Sequence, residues 1–140
     1  MNESQELLSL KKLSFRQYSL EYIDDELVLV KIKSDITLDI PIKVFNIIRM
    51  LSLELEKPIN LIICLNEAGK PTLEARKYAI NLLKNNEFIG YISLYGAHPV
   101  AEVISKFVIR FIKQKRIAFF NKQSEALSWI YNQTHHIKKS

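Results

Sequence analysis

The chain has 140 residues, 48% hydrophobic and 25% charged, with 20 basic against 15 acidic side chains and a formal charge of +5. That length fits one domain with a sizeable core, and the composition is that of an ordinary globular protein. No apolar run reaches the roughly 18 residues a membrane helix needs, and one cysteine excludes an internal disulfide.

The start, Asn2-Glu3-Ser4-Gln5-Glu6, is acidic and polar, unlike a secretory signal. With the lone cysteine this leads us to expect the cytoplasm. The basic residues are spread out, and the densest run is Lys113-Gln114-Lys115-Arg116. A run of this size is expected to be a solvated helix end, so no nucleic-acid partner is expected.

Residues 1–12 read as a flexible lead-in, residues 13–133 as the domain, and residues 134–140 as a polar tail. From Ser14 the pattern alternates, with Arg16, Tyr18, Leu20 and Tyr22 on one face. Asp24-Asp25 makes a turn, and the β-branched run from Leu27 to Lys33 completes an antiparallel hairpin. Pro41 suits the first turn of a helix that runs to about Glu56. Ile42, Val44, Phe45, Ile48, Leu51 and Leu55 make up its apolar face, and Pro58 marks its stop.

The stretch from Ile59 to Leu65 is almost continuously apolar, as suits a strand covered on both faces. The polar loop Asn66-Glu67-Ala68-Gly69-Lys70-Pro71 follows, and Thr72 is placed to cap the next helix, with Glu74 in its first turn. Phe88 to Tyr95 reads as a second buried strand, in which Gly90 marks a bulge or a close backbone approach. A helix is predicted from Pro99 to Gln114, with Val100, Val103, Ile104, Phe107, Val108 and Phe111 inward. Arg116 to Phe120 is a short strand, and Asn121 introduces a last helix carrying Ala126, Leu127, Trp129 and Ile130.

The order is therefore ββαβαβαβα. Strands separated by helices pair in parallel through right-handed crossovers. The expected fold is a single α/β domain with a mixed, mostly parallel sheet of about five strands and helices packed on it. Leu61, Ile63, Leu65, Ile92 and Leu94 are expected to be almost fully buried.

This order resembles the SpoIIAA-like (STAS/CRAL-TRIO-like) family of small bacterial α/β domains. The resemblance is carried by Glu26-Leu27-Val28-Leu29-Val30, by the strand Asn60 to Leu65, by Thr72-Leu73-Glu74-Ala75-Arg76, and by the ending Arg116 to Ile130 with its Glu125-Ala126-Leu127 and Trp129. It covers most of the chain after Ser14. In STAS proteins that antagonise anti-sigma factors, a phosphorylatable serine sits in a turn after a central strand. Here that place reads Asn66 to Thr72, and only Thr72 offers a hydroxyl near the helix start. The lipid-transfer relatives of the fold use an enlarged cavity with extra helices, for which 140 residues leave little room.

Ligands of open α/β sheets gather at loops after the carboxyl ends of strands. A binding site is therefore expected at Lys70, Thr72 and Arg76, where first-turn N–H groups and two cations could hold a phosphate or carboxylate. Thr72 is a plain cap or a phosphosite. Arg76 is expected to lay its stem on apolar neighbours and pair its head with a carboxylate. Cys64 reads as a small buried hydrophobe and His98 as a turn residue. His135-His136 has no ligand spacing, and the three glycines are too far apart for a phosphate loop, so no metal or cofactor is expected. No catalytic constellation emerges.

The first expectation is a non-enzymatic regulatory or protein-interaction module, as the resemblance implies. The alternative is a carrier or sensor of a small apolar or anionic ligand held between sheet and helices. A homodimer is expected from the resemblance and from Tyr18 and Tyr22 on an early strand at a sheet edge.

Overall fold

The computed structural model describes residues 2–24, 27–111 and 116–136. The first of these form a helix rather than the expected loose lead-in. Helix α1 (Glu3–Leu10) starts at Asn2, whose Oδ1 accepts the Gln5 N–H at 2.9 Å while the Gln5 side chain accepts the Asn2 N–H at 3.1 Å. This reciprocal capping satisfies donors that a short helix otherwise leaves unpaired. Leu7, wholly buried, fixes α1 to the core.

Strands β1 (Lys12–Ser14), β2 (Tyr18–Asp24) and β3 (Leu27–Ile32) follow, then helix α2 (Asp39–Leu55). Strand β4 (Ile59–Cys64), helix α3 (Leu73–Lys84), strand β5 (Ile89–Tyr95) and helix α4 (Pro99–Phe111) come next. Strand β6 (Ile117–Phe120) and helix α5 (Gln123–His136) end the order. Among the described residues there are thus six strands and five helices. The sixth strand is β1, which is too short to show an alternating pattern. Asp25 of the expected turn, Glu26 at the start of the stretch that carries the resemblance, and Lys113 to Lys115 of the basic run lie outside the described residues.

The strands lie in chain order, β1-β2-β3-β4-β5-β6. The first three are antiparallel, and β3 to β6 are parallel. Each crossover steps one place in the same direction, so crossovers of one hand put α2, α3 and α4 on one face. Helix α5, after the last strand, covers the other. Side chains of β4 alternate between the two layers. Leu61 shares a buried cluster with Val44 and Ile48 of α2, while Ile62 and Cys64 share another with Ala126 and Ile130 of α5. This is why the β4 run is apolar without a break.

Four of the five residues expected in the core are buried, but Ile63 is only partly so. The aromatic pair Tyr18 and Tyr22 does not lie at an edge. Strand β1 pairs outside β2, Tyr18 is buried, and Lys11 sits 4.8 Å from the centre of the Tyr22 ring. A self-association surface therefore has no exposed tyrosine face to use.

Candidate functional site

The loop after β4 is held by the connection that follows β3. Gly69 N–H donates to the Ser34 carbonyl at 2.9 Å and Lys70 N–H to Asp35 Oδ1 at 3.2 Å. Ile36 N–H donates to the Lys70 carbonyl at 3.1 Å, and Thr72 N–H returns to the Ile36 carbonyl at 2.9 Å. Two loops with no regular pairing of their own thus satisfy each other's backbone groups. The approach is close enough to need glycine, because a Cβ on Gly69 would fall 1.7 Å from Asp35 Oδ1.

Thr72 then caps α3, its Oγ1 accepting the Ala75 N–H at 3.1 Å. The start of α4 is held by His98. The Ala101 N–H donates to its Nδ1 at 3.3 Å, so the ring proton is on Nε2, which donates to the Leu65 carbonyl. His98 is therefore a turn residue with both nitrogens used.

Helices α3 and α4 descend side by side from these anchors and leave a groove between them of about 400 Å³. That volume falls within the roughly 300–1,000 Å³ of small-ligand sites. Ala75, Ala79 and Ile80 form one wall, and Val100, Ile104, Phe107 and Val108 the other. Ile36, Pro41 and Pro71 close the end near the loop. The small residues Ala75 and Ala79 make room where a leucine would fill the space. At the rim Val103 is 66% exposed and, one turn before the groove, Leu73 is 57% exposed. Val103 is thus not the inward residue its spacing predicts.

Among the described residues, only Lys70 and Arg76 bring charge to this lining, and no carboxylate does so. Among the described residues, no carboxylate pairs with the head of Arg76. Its guanidinium carbon lies 5.1 Å from the centre of the Phe107 ring, so the side chain bridges the two walls. A cation over a ring contributes about 0.5–2 kcal/mol, depending on how far it is desolvated. Its Nε is buried with no hydrogen-bond acceptor among the described residues. Leaving such a donor unmet costs about 1–3 kcal/mol.

The structure thus brings Lys70 and Arg76 together in one groove. It leaves Thr72 outside the lining, on the exposed rim of α3. The α4 wall carried a signal in the sequence: the six apolar side chains spaced along this helix are more than a four-residue edge strand can cover.

Cys64 is buried beside Tyr95 on the opposite side of the sheet. Burial, and then the hydrogen bond to Cys64, hold the Tyr95 phenol well above its ordinary value near 10. No group of three or more His, Cys, Asp or Glu side chains gathers among the described residues, and no helix there is long and apolar enough to cross a membrane. The side chains of His135 and His136 lie outside the described part of the chain.

A family model described as a domain of unknown function, DUF7793, matches residues 21–134. No curated protein matches the sequence. Among solved structures, the chain is similar to an uncharacterised protein of the DUF3478 family with a SpoIIAA-like fold from Shewanella loihica PV-4. The TM-score is 0.59 at 18% identity, over 84% of this chain and 98% of that one. The SpoIIAA-like architecture expected from the strand and helix order is therefore the fold of this chain.

Proposed function

The chain belongs to the DUF7793 family, and from that premise we propose that it is a non-catalytic module that binds a small, largely apolar ligand between α3 and α4. The observation that supports this reading is the groove. It is lined by apolar side chains from both helices, it has the volume of a small-ligand site, and its few polar groups converge at Lys70 and Arg76. A helix pair that merely completed a core would close over this space, since interiors pack without voids much larger than a water molecule.

The regulatory role implied by the resemblance joins this reading at the rim. Leu73 and Val103 are apolar, exposed and next to the groove. A protein partner, or a second copy of the chain, touching these residues would sense whether the groove is filled. The proposal is of a cytoplasmic sensor or carrier.

Filling the groove tests it. Ala79→Trp places an indole between the walls at a position that is not fully buried. Anilinonaphthalene sulfonate, an aromatic fluorophore with an anionic head, should brighten with the wild-type protein and not with this variant, while both melt cooperatively. Equal brightening would mean that the dye binds elsewhere and that the groove is not a binding site.

A further inference from the structure

Arg76 ties α3 to α4 across the groove by its contact with the Phe107 ring. The guanidinium carbon lies over the Phe107 ring, 5.1 Å from its centre. The donors of an arginine lie in its plane and point outward from the edge, where a planar acceptor with two oxygens matches them. On this edge, Nε has no acceptor among the described residues. Among the described residues, the surrounding lining offers a second cation, Lys70, and no acid. An occupant with a neutral head would leave this imbalance in place, and a cationic head would add to it.

We propose that the groove takes a soluble single-chain amphiphile with a carboxylate head, anchored by Arg76. The inference rests on the ligand-binding reading above and names its ligand class. In the unfilled groove Phe107 holds the guanidinium. On binding, Arg76 turns from the ring and clasps the carboxylate through Nε–H and one Nη–H, with Lys70 adding charge from the loop end. The alkyl chain lies along Ala79, Val100 and Ile104, against the face of Phe107 that Arg76 has left. A bidentate, charge-assisted pair of this kind is stronger and more selective in geometry than a point-charge contact.

The test is calorimetric titration of the whole protein with decanoate, 1-decanol and decylammonium, which share one chain and differ in the head. Decanoate should bind roughly 10- to 100-fold more tightly than decanol, the worth of a hydrogen bond to a charged group. Decylammonium should bind most weakly. In Arg76→Gln the preference for decanoate over decanol should collapse. Arg76→Lys, which keeps the charge and loses the fork, should retain only part of it, and serves alone if the glutamine variant does not fold. Equal binding of decanoate and decanol overturns the carboxylate and leaves the groove standing as an apolar site. A preference that survives both substitutions overturns Arg76 as the anchor. Absence of binding by all three probes overturns the groove reading, and this inference with it.

Discussion

Between β4 and β5 the pairing runs Ile59 to Ile89 and then Leu61 to Ile92, so two residues, Gly90 and Tyr91, stand opposite the single Asn60. The Asn60 side chain fills the gap in the ladder: its Oδ1 accepts the Tyr91 N–H at 2.8 Å in a site only 6% exposed. Gly90 lets it do so, because an alanine Cβ there would lie 2.3 Å from Asn60 Oδ1. Gly90→Ala must therefore displace the amide. The Tyr91 N–H then loses its acceptor at about 1–3 kcal/mol, and crowding adds about 1–3 kcal/mol. The reduced freedom of the unfolded chain returns about 0.4–1 kcal/mol. The net loss should be about 1–5 kcal/mol in urea melts, with the denaturant slope unchanged. In an Asn60→Ala background the clash is gone, and the same Gly90→Ala step should cost at least about 1 kcal/mol less. Additivity within about 0.5 kcal/mol, or a gain in stability from Gly90→Ala alone, would refute this account of the bulge.

Three further outcomes are expected. Leu61→Ala should cost about 3–4 kcal/mol and Ile63→Ala about half as much, because Leu61 is wholly buried and Ile63 only partly; equal losses in urea melts would place the two in the same environment. Thr72→Ala should cost about 1 kcal/mol through loss of the cap and leave decanoate titrations unchanged, since Thr72 does not line the groove. If Thr72→Glu instead altered binding of a captured partner while the melt stayed cooperative, the hydroxyl would be a switch and not only a cap. The raised Tyr95 phenol predicts a loss of stability in alkali. Its folded value lies above the unfolded value near 10, so its contribution is fully present below pH 10. It is lost as the pH rises above that value, because there only the unfolded chain releases the proton. Thermal melts from pH 9 to 11 should show the decline, and Tyr95→Phe should flatten part of it; the same slope in both proteins would remove Tyr95 as its source.

Much of the fold was legible in the chain because its signals are local. The period-two alternation of Tyr18, Leu20 and Tyr22, the unbroken run of β4 and the helical spacing of α2 to α5 each record which faces meet apolar neighbours. Thr72 and Gly90 were readable for the same reason, since a cap and a bulge are set by a few adjacent residues. Helix α1 was not, because its stability comes from the reciprocal Asn2–Gln5 cap and from Leu7 buried beneath the sheet's neighbours, and eight residues alone do not make a stable helix in water. Strand β1 takes the sheet edge from the strand that carries the tyrosines, a placement set by pairing with β2 and not by any residue of β2 itself.

The candidate site divides along the same line. Lys70 and Arg76 stood out as cations near a strand end, and that position follows from the order of elements alone. What Arg76 meets is decided by α4, whose Phe107 is 31 residues further along the chain. An apolar side chain that faces a neighbouring helix across a gap has the same sequence signature as one pressed against it. Hydrophobic periodicity reports the direction of a helix face and carries no information on the distance to the next one. Only the tertiary packing of α3 beside α2 and of α4 on β6 sets that distance, and with it the groove.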